Sequence, residues 1–442
     1  METTPDEILL LIFEAVSGPA LLPWPDAPYD HHRACAPFVL ASVCRHWRSI
    51  AQSTPALWTY FAFSDVTSEQ EGQFNRLHIL VSLVKHTPID VLFGCEDWSL
   101  FQHQLSVGTR ILEQLACLVG QWRSAQFDMP DLPPSVQGPF NNILPRQSPY
   151  LEQLSVTSNG ATLCLPQASH LLRLHVHCDD LDLPDPFLCL PKLCILSYFT
   201  VGDSSDYLCS SYSQHLVELY IQEDANQGFQ LVELPRLATL VLDDAKFLAH
   251  IRAPHVRTLG LNANSLTMSI LDATAHYTGV QHLIFWNEIR EETLHFVGCF
   301  CALATLSFTV PDPVKKTFGP YGHPYTIEPG FLTEFNSWHP PVCPSLDRLL
   351  FGPGPGSLPY KELLAFVHDR RQFLEAENCR NRERLSKRLT VLLECDIGPE
   401  IPASVRTKLR ELQPNMLMKM TLGFDGRLKP LLRITSSSRL EM

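Results

Sequence analysis

Pro235-Arg236-Leu237-Ala238-Thr239-Leu240-Val241-Leu242 is answered, at an offset of 19 residues, by Pro254-His255-Val256-Arg257-Thr258-Leu259-Gly260-Leu261. Both carry one phrase: an apolar residue, two others, a leucine, one other and a second apolar residue. The phrase occurs nine times, as Leu151-Leu154-Val156, Leu171-Leu174-Val176, Leu193-Leu196-Tyr198, Leu216-Leu219-Ile221, Leu237-Leu240-Leu242, Val256-Leu259-Leu261, Val280-Leu283-Phe285, Leu303-Leu306-Phe308 and Leu346-Leu349-Phe351. Successive copies lie 19 to 24 residues apart except at the last step. Several follow a proline, at Pro191, Pro235, Pro254 and Pro344. Within each copy the leucine and the apolar residue two places on share one strand face, because side chains alternate with period two. A unit this short cannot bury its own apolar face, so copies must stack into a continuous core. One copy would read as an ordinary strand; the series specifies an α/β solenoid.

The phrase resembles the leucine-rich repeat. It lacks the Asn or Cys that regular leucine-rich repeats carry just after the strand, so the resemblance implies a degenerate version with irregular return segments. The last step, Leu303 to Leu346, is 43 residues long and holds Pro311, Pro313, Gly319, Pro320, Gly322, Pro324, Pro329 and Gly330. That density of turn-formers predicts an extruded loop or a heavily decorated repeat.

A chain of 442 residues with 45% hydrophobic and 18% charged residues can bury a large core in two or three domains. Its net charge of −13 and pI near 5.7 argue against a general nucleic-acid or acidic-membrane binder, whose affinity would rest on Lys and Arg. Ile8 to Phe13 is the longest tight apolar run near the start, far short of a bilayer span, and Asp6 and Glu7 stand where a signal peptide is basic. The expectation is a soluble protein, cytoplasmic or nuclear. Its 14 cysteines are scattered, many in apolar repeat segments (Cys164, Cys194, Cys299, Cys301), where a thiol serves as a small core residue and disulfides are not expected.

Thr4-Pro5-Asp6-Glu7 is a helix start: Thr4 can cap, Pro5 suits the first helical position and Glu7 completes a capping box. Ile8, Leu9, Ile12, Phe13 and Val16 then recur at helical spacing until Ser17-Gly18-Pro19. Pro19 to Pro37 reads as a loop, and a second helix from near Pro37 carries Leu40, Val43, Cys44, Trp47 and Ile50 on one side. Thr54-Pro55 repeats the cap-plus-proline device ahead of Leu57-Trp58.

Pro5-Asp6-Glu7-Ile8-Leu9, Ile12-Phe13, Val43-Cys44-Arg45-His46-Trp47-Arg48 and Leu57-Trp58, taken in that order, resemble the F-box, over Thr4 to about Phe61. The ending Ser53-Thr54-Pro55-Ala56-Leu57-Trp58 is similar to that of F-box proteins of mushroom-forming fungi. Thr4 stands where F-boxes usually have Leu, and the loop between helices is longer than in animal and yeast members. The resemblance implies docking on the Skp adaptor, and through it a cullin, in an SCF (Skp–cullin–F-box) ubiquitin ligase. Pro5, Ile8, Leu9, Ile12, Val43, Trp47, Leu57 and Trp58 would lie in or just beneath that interface, with Phe13, Val43 and Trp47 equally open to a core role.

Further along, Phe74 to His86 and Leu105 to Trp122 read as helices and Ile89 to Phe93 as a strand, an alternation that fits the first solenoid turns. Phe127-Asp128-Met129 resembles a repeat strand. After Gly352-Pro353-Gly354-Pro355-Gly356 a helix is expected from Tyr360 to about Leu374, then a mixed-charge stretch to Arg388, read as a solvated face. A strand at Leu389–Leu393, a helix at Ala403–Leu412 and a strand at Met416–Leu422 would close the end, leaving the Ser436-Ser437-Ser438 tail without structure. The domains expected are 1–65, an F-box; 66–150, a linking α/β segment; 151–355, the solenoid; and 356–442, an α/β cap.

No phosphate loop, nucleophile elbow, His-Glu-x-x-His or Cys-x-x-Cys pattern occurs, so no catalytic residue, metal or cofactor is assigned. His175 and His177 share a strand face, with Cys178, Asp179 and Asp180 beside them, without a convincing metal-ligand pattern. Cys299 and Cys301 alternate with Phe300, which favours packing over nucleophilic chemistry. The functional surface is placed on the strand face opposite the core, where a solenoid commonly meets a partner. Its candidate target-binding residues are His175, Phe199, Tyr220, Gln222, Asp243 and Trp286, the aromatics standing out as hot spots unless flanking loops cover them. The leading expectation is a non-enzymatic substrate receptor. Its rivals are a repeat scaffold that binds no ligase, and a hydrolase or transferase using His, Cys or acidic residues.

Overall fold

The computed structural model describes residues 5–17, 29–64, 70–94, 105–129, 147–158, 162–164, 167–178, 180–182, 190–200, 214–222, 231–290, 292–309, 326–337, 343–351 without 344 and 347, 361–369, 372, 390–394, 407, 416–417 and 431–436. The chain is mixed α/β with extensive parallel sheet, and it divides into two compact units, 1–216 and 217–442. No described helix is long and apolar enough to cross a membrane.

Unit one begins with helices α1 (Asp6–Ser17), α2 (His31–Val43) and α3 (Arg45–Ser53) and a 3-10 turn, Pro55–Trp58. Strand β1 (Tyr60–Ser64) follows, then α4 (Gln70–Val84), β2 (Ile89–Gly94), α5 (Leu105–Cys117) and β3 (Trp122–Asp128). The helices make parallel crossovers, as parallel neighbours require. Repeat strands β4 (Gln153–Thr157), β6 (Arg173–Cys178) and β8 (Ile195–Thr200) continue the same ladder. Short β5 (Thr162–Cys164) and β7 (Asp180–Asp182) pair with each other in the return segments. Phe61, Phe63, Phe93 and Phe127 fill one side of the first strands, and Ala34 of α2 packs with Tyr60, Ala62 and Leu92 on the other. The N-terminal helices therefore share a core with the sheet.

Unit two repeats the pattern. Strands β9 (Glu218–Gln222), β11 (Thr239–Leu242), β13 (Thr258–Asn262), β14 (His282–Trp286), β16 (Thr305–Phe308), β18 (Arg348–Phe351) and β19 (Thr390–Glu394) pair in parallel, in that order. In the return segments β10 (Val232–Glu233) pairs with β12 (Ile251–Arg252), and β15 (Glu288–Ile289) with β17 (Thr326–Ile327). Helices α6 (Glu292–Gly298) and α7 (Phe331–Ser337) back the sheet with Leu294, Phe296, Phe331 and Phe335. The sheet turns antiparallel at its last strands, β20 (Met416–Leu417) and β21 (Leu431–Ser436), with β21 against β19 and β20 against β21.

All 27 apolar positions of the nine copies are buried, none more than 7% exposed. The prolines gain a reason. The amides of opening residues donate to carbonyls three residues back, as from Leu193 to Leu190 (3.3 Å), Leu237 to Leu234 (3.2 Å) and Val256 to Ala253 (3.2 Å). Pro191, Pro235 and Pro254 thus hold the second position of a β-turn, where φ near −65° is already set. The next residue's amide reaches the neighbouring copy, Ala238 to Val217, Arg257 to Ala238 and Gln281 to Arg257, each at 2.8 Å. Each turn therefore fixes its own strand's register.

Several expectations need correction. The second helix begins at His31, not near Pro37: Asp30 Oδ1 accepts the Arg33 amide at 2.9 Å and caps it, and burial of Arg33, Ala34, Ala36, Pro37 and Leu40 helps to offset the helical hydrogen bond that Pro37 lacks. That helix then breaks at Cys44, whose extended backbone (φ −158°, ψ 172°) caps α3 through Sγ, 3.4 Å from the Trp47 amide. Thr54 does not cap the turn after it; its hydroxyl donates back to the Ile50 carbonyl at 2.8 Å. Strand β1, absent from the sequence reading, forms directly after Trp58. Ser436, read as tail, ends β21. Thr4, the Pro311–Pro324 segment and the helix expected at 403–412 lie outside the described residues, except that Thr407 is helical.

Candidate functional site

Helix α1 is apolar around most of its circumference, so sequence periodicity alone leaves its inward face undecided. Leu9 and Phe13, four residues apart, turn inward, and Phe13 meets the edge of Trp47 at 5.1 Å. Beneath them Trp58 donates its indole N–H to the Ala51 carbonyl at 2.7 Å and meets Phe38 edge-on at 5.2 Å. Outward remain Ile8 (46% exposed), Leu11 (62%), Ile12 (43%), Val16 (51%), Val39 (59%) and Val43 (56%). His46 Nε2 lies 3.1 Å from Asp6 Oδ1, which brings the start of α3 to the start of α1. Arg48 Nε donates to the Ala41 carbonyl at 3.0 Å, fixing α3 on α2.

The eight residues assigned to adaptor docking thus separate into layers. Pro5, Ile8, Ile12 and Val43 are exposed and Trp47 is half-buried. Leu9, Leu57 and Trp58 are core side chains that support the surface from beneath and are not themselves presented. Leu11, Val16 and Val39 were missed as surface residues. The available signal was spacing: Val16 follows Ile12, and Val43 follows Val39, by four residues. An exposed apolar face of this kind is suited to burial against a partner.

Arg33 and Arg76 tie α2 to the sheet, and Arg123 shares the carboxylate that Arg33 reaches. Asp90 of β2, fully buried, accepts from Arg33 Nη2 of α2 at 2.7 Å, and from Arg123 of β3 through Nε at 3.0 Å and Nη2 at 2.7 Å. Arg33 also lies 4.3 Å above the Tyr60 ring. Arg76 of α4 donates to the Ala34 and Ala62 carbonyls at 3.1 and 3.3 Å. Burial pushes the Tyr60 hydroxyl above its ordinary pKa.

The strand face opposite the repeat core is less open than alternation suggests. His175 is buried, as are Ser155 and Ser197, its register neighbours on β4 and β8. The Phe199 side chain lies outside the described residues. Trp286, expected to protrude, is fully buried: it lies across β13 at Gly260, where an added Cβ would stand 3.3 Å from its ring and 3.1 Å from both Val241 methyls. Its indole nitrogen is 3.4 Å from Asp243 Oδ1, which also accepts from Asn262 Nδ2 at 2.9 Å. Tyr220, Gln222 and Asp243 are half-buried, and the Tyr220 hydroxyl donates to Glu218 at 3.1 Å.

His282 Nε2 and Ser307 Oγ are 2.7 Å apart, and burial, reinforced by Arg348, lowers the imidazole pKa. Ser307 is itself buried, so this pair does not present a nucleophile to a substrate. Cys299 and Cys301, expected in the packing, are exposed, while Phe300 between them is buried. Among the described residues no group of three or more His, Cys, Asp or Glu is placed to hold a metal. No family model matches the chain, and no curated protein matches it either.

Proposed function

We propose that the chain is the substrate-recognition subunit of an SCF-type ubiquitin ligase, its N-terminal helices an F-box docking on the Skp adaptor and its repeats a leucine-rich-repeat-like solenoid that binds the target. The observation that carries this reading is the exposed apolar face of α1 and α2, in which Ile8, Ile12 and Val43 stay 43–56% exposed above a well-filled core. The F-box-like order of motifs within the same 60 residues supports it. No bond chemistry belongs to this chain: it brings a target lysine near a ubiquitin-loaded conjugating enzyme, and its contribution to rate is proximity. The target side is assigned to Tyr220, Gln222 and Asp243 on the strand face opposite the repeat core, which keep part of their surface.

The test is co-purification with the Skp adaptor. Removing residues 1–65 would also strip β1 from β2 and Arg33 from Asp90, and Trp58→Ala would hollow the core, so neither separates docking from folding. Ile8→Asp and Val43→Asp change exposed positions only. Retention of the intact chain, lost in both variants with circular dichroism unchanged, supports the reading. An intact chain that does not retain the adaptor leaves a repeat scaffold without ligase association.

A further inference from the structure

One position of the repeat carries a charge opposite to that of the chain as a whole. The residue before the opening apolar position is His170, Lys192, His215, Arg236 and His255 in five successive copies, although Lys and Arg number only 34 and His 18 among 442 residues. Composition alone does not place five in succession. In four of these copies the basic residue is the third of the opening turn: the Leu171 amide donates to the Ala168 carbonyl at 3.1 Å, and Leu193, Leu237 and Val256 make the equivalent bond. All five residues are exposed.

Each unit holds part of the row, and the part in unit two carries the arginines. Arg236 and His255 open consecutive copies there, whose strands β11 and β13 pair from Thr239 with Thr258 onward. Paired strands run about 4.8 Å apart, so the two turns are neighbours. Arg257, also exposed, follows two residues after His255, its amide bonded to the Ala238 carbonyl at 2.8 Å. Neither Arg236 nor Arg257 forms an ion pair among the described residues. Of the acids at this end of the strands, Glu233 faces Arg252 at 3.6 Å, and Glu218, half-buried on β9, accepts the Tyr220 hydroxyl. With Glu233 set against Arg252, the two arginines still outnumber Glu218. The edge is therefore positive in a chain of net charge −13.

We propose that this turn edge of unit two docks a segment of a protein partner rich in Asp and Glu. An arginine fork takes a carboxylate through two parallel hydrogen bonds. The turns that carry the forks are already fixed by backbone hydrogen bonds, so docking costs little further ordering. A nucleic acid would run past the two arginines onto a chain that repels it. The edge is separate from the strand face assigned to the target, and the inference holds whether or not the chain docks on the adaptor.

The experiment is fluorescence anisotropy of the full-length protein with a labelled oligoglutamate peptide, and with single-stranded DNA of similar length as the rival probe. Saturable peptide binding that weakens with added chloride is expected. Arg236→Glu combined with Arg257→Glu is expected to weaken it about tenfold, as two attractions become repulsions, while Lys246→Glu, at the far end of the strands beside Asp244, leaves affinity unchanged. Absence of saturable peptide binding overturns the proposal, as does unchanged affinity in the folded double variant. An equal loss in Lys246→Glu also overturns it, since the effect would then belong to net charge. DNA bound more tightly than peptide through the same arginines overturns it in favour of nucleic acid. Should the double variant fail to fold, Arg236→Gln and Arg257→Gln are measured singly, and full affinity in both overturns the assignment.

Discussion

Gly260 shows how one missing side chain sets a surface. The Trp286 ring occupies the space a Cβ would need, with Val241 on the other side, and all three belong to the face that alternation assigned to a partner. Gly260→Ala is expected to destabilise the protein by about 1–3 kcal/mol, read as a lower urea midpoint at constant slope, because neither buried neighbour has room to give. His282 makes a different forecast. Its folded-state pKa is lowered, so the unfolded chain takes up a proton first as pH falls. The associated stability is complete above about pH 6.5, the ordinary histidine value, and is lost as pH drops through the lowered one. His282→Gln should flatten the stability profile below that point; an unchanged acid slope would contradict the assignment.

At the scale of elements, the repeat strands were legible because their apolar positions alternate without exception over nine copies. Their opening turns were half legible: prolines marked them, but the buried residue before each proline, such as Leu190, Leu234 or Ala253, belongs to the repeat and was overlooked. The second helix was misread because Pro37 is a loud local signal and the Asp30 cap a quiet one. Trp286 was misplaced because period two reports which face a side chain leaves from, not what lies across it afterward. The Asp90 cluster was invisible, since its three residues are 33 and 57 positions apart and meet only through tertiary structure. Asp90→Ala should cost about 3–5 kcal/mol in chemical denaturation by leaving buried guanidinium unmatched. Joint replacement, Arg33→Leu with Asp90→Leu, should recover part of that loss, a recovery a double-mutant cycle would measure.

For the whole molecule, the division into mixed α/β units with parallel sheet follows from stacking that no single copy could achieve alone. The adaptor-binding experiment belongs at this scale, because Ile8→Asp acts on association and leaves the melting temperature within the small range typical of exposed substitutions. Leu240→Ala, at a fully buried repeat position, should do the reverse: it should lower stability by about 2–5 kcal/mol while the folded fraction still retains the adaptor. The proline-led turns carry one more implication. Since these strands take their alignment from a turn immediately before them, the length of the preceding return segment is free to drift. Duplication or deletion of whole copies in the gene would leave neighbouring copies in register.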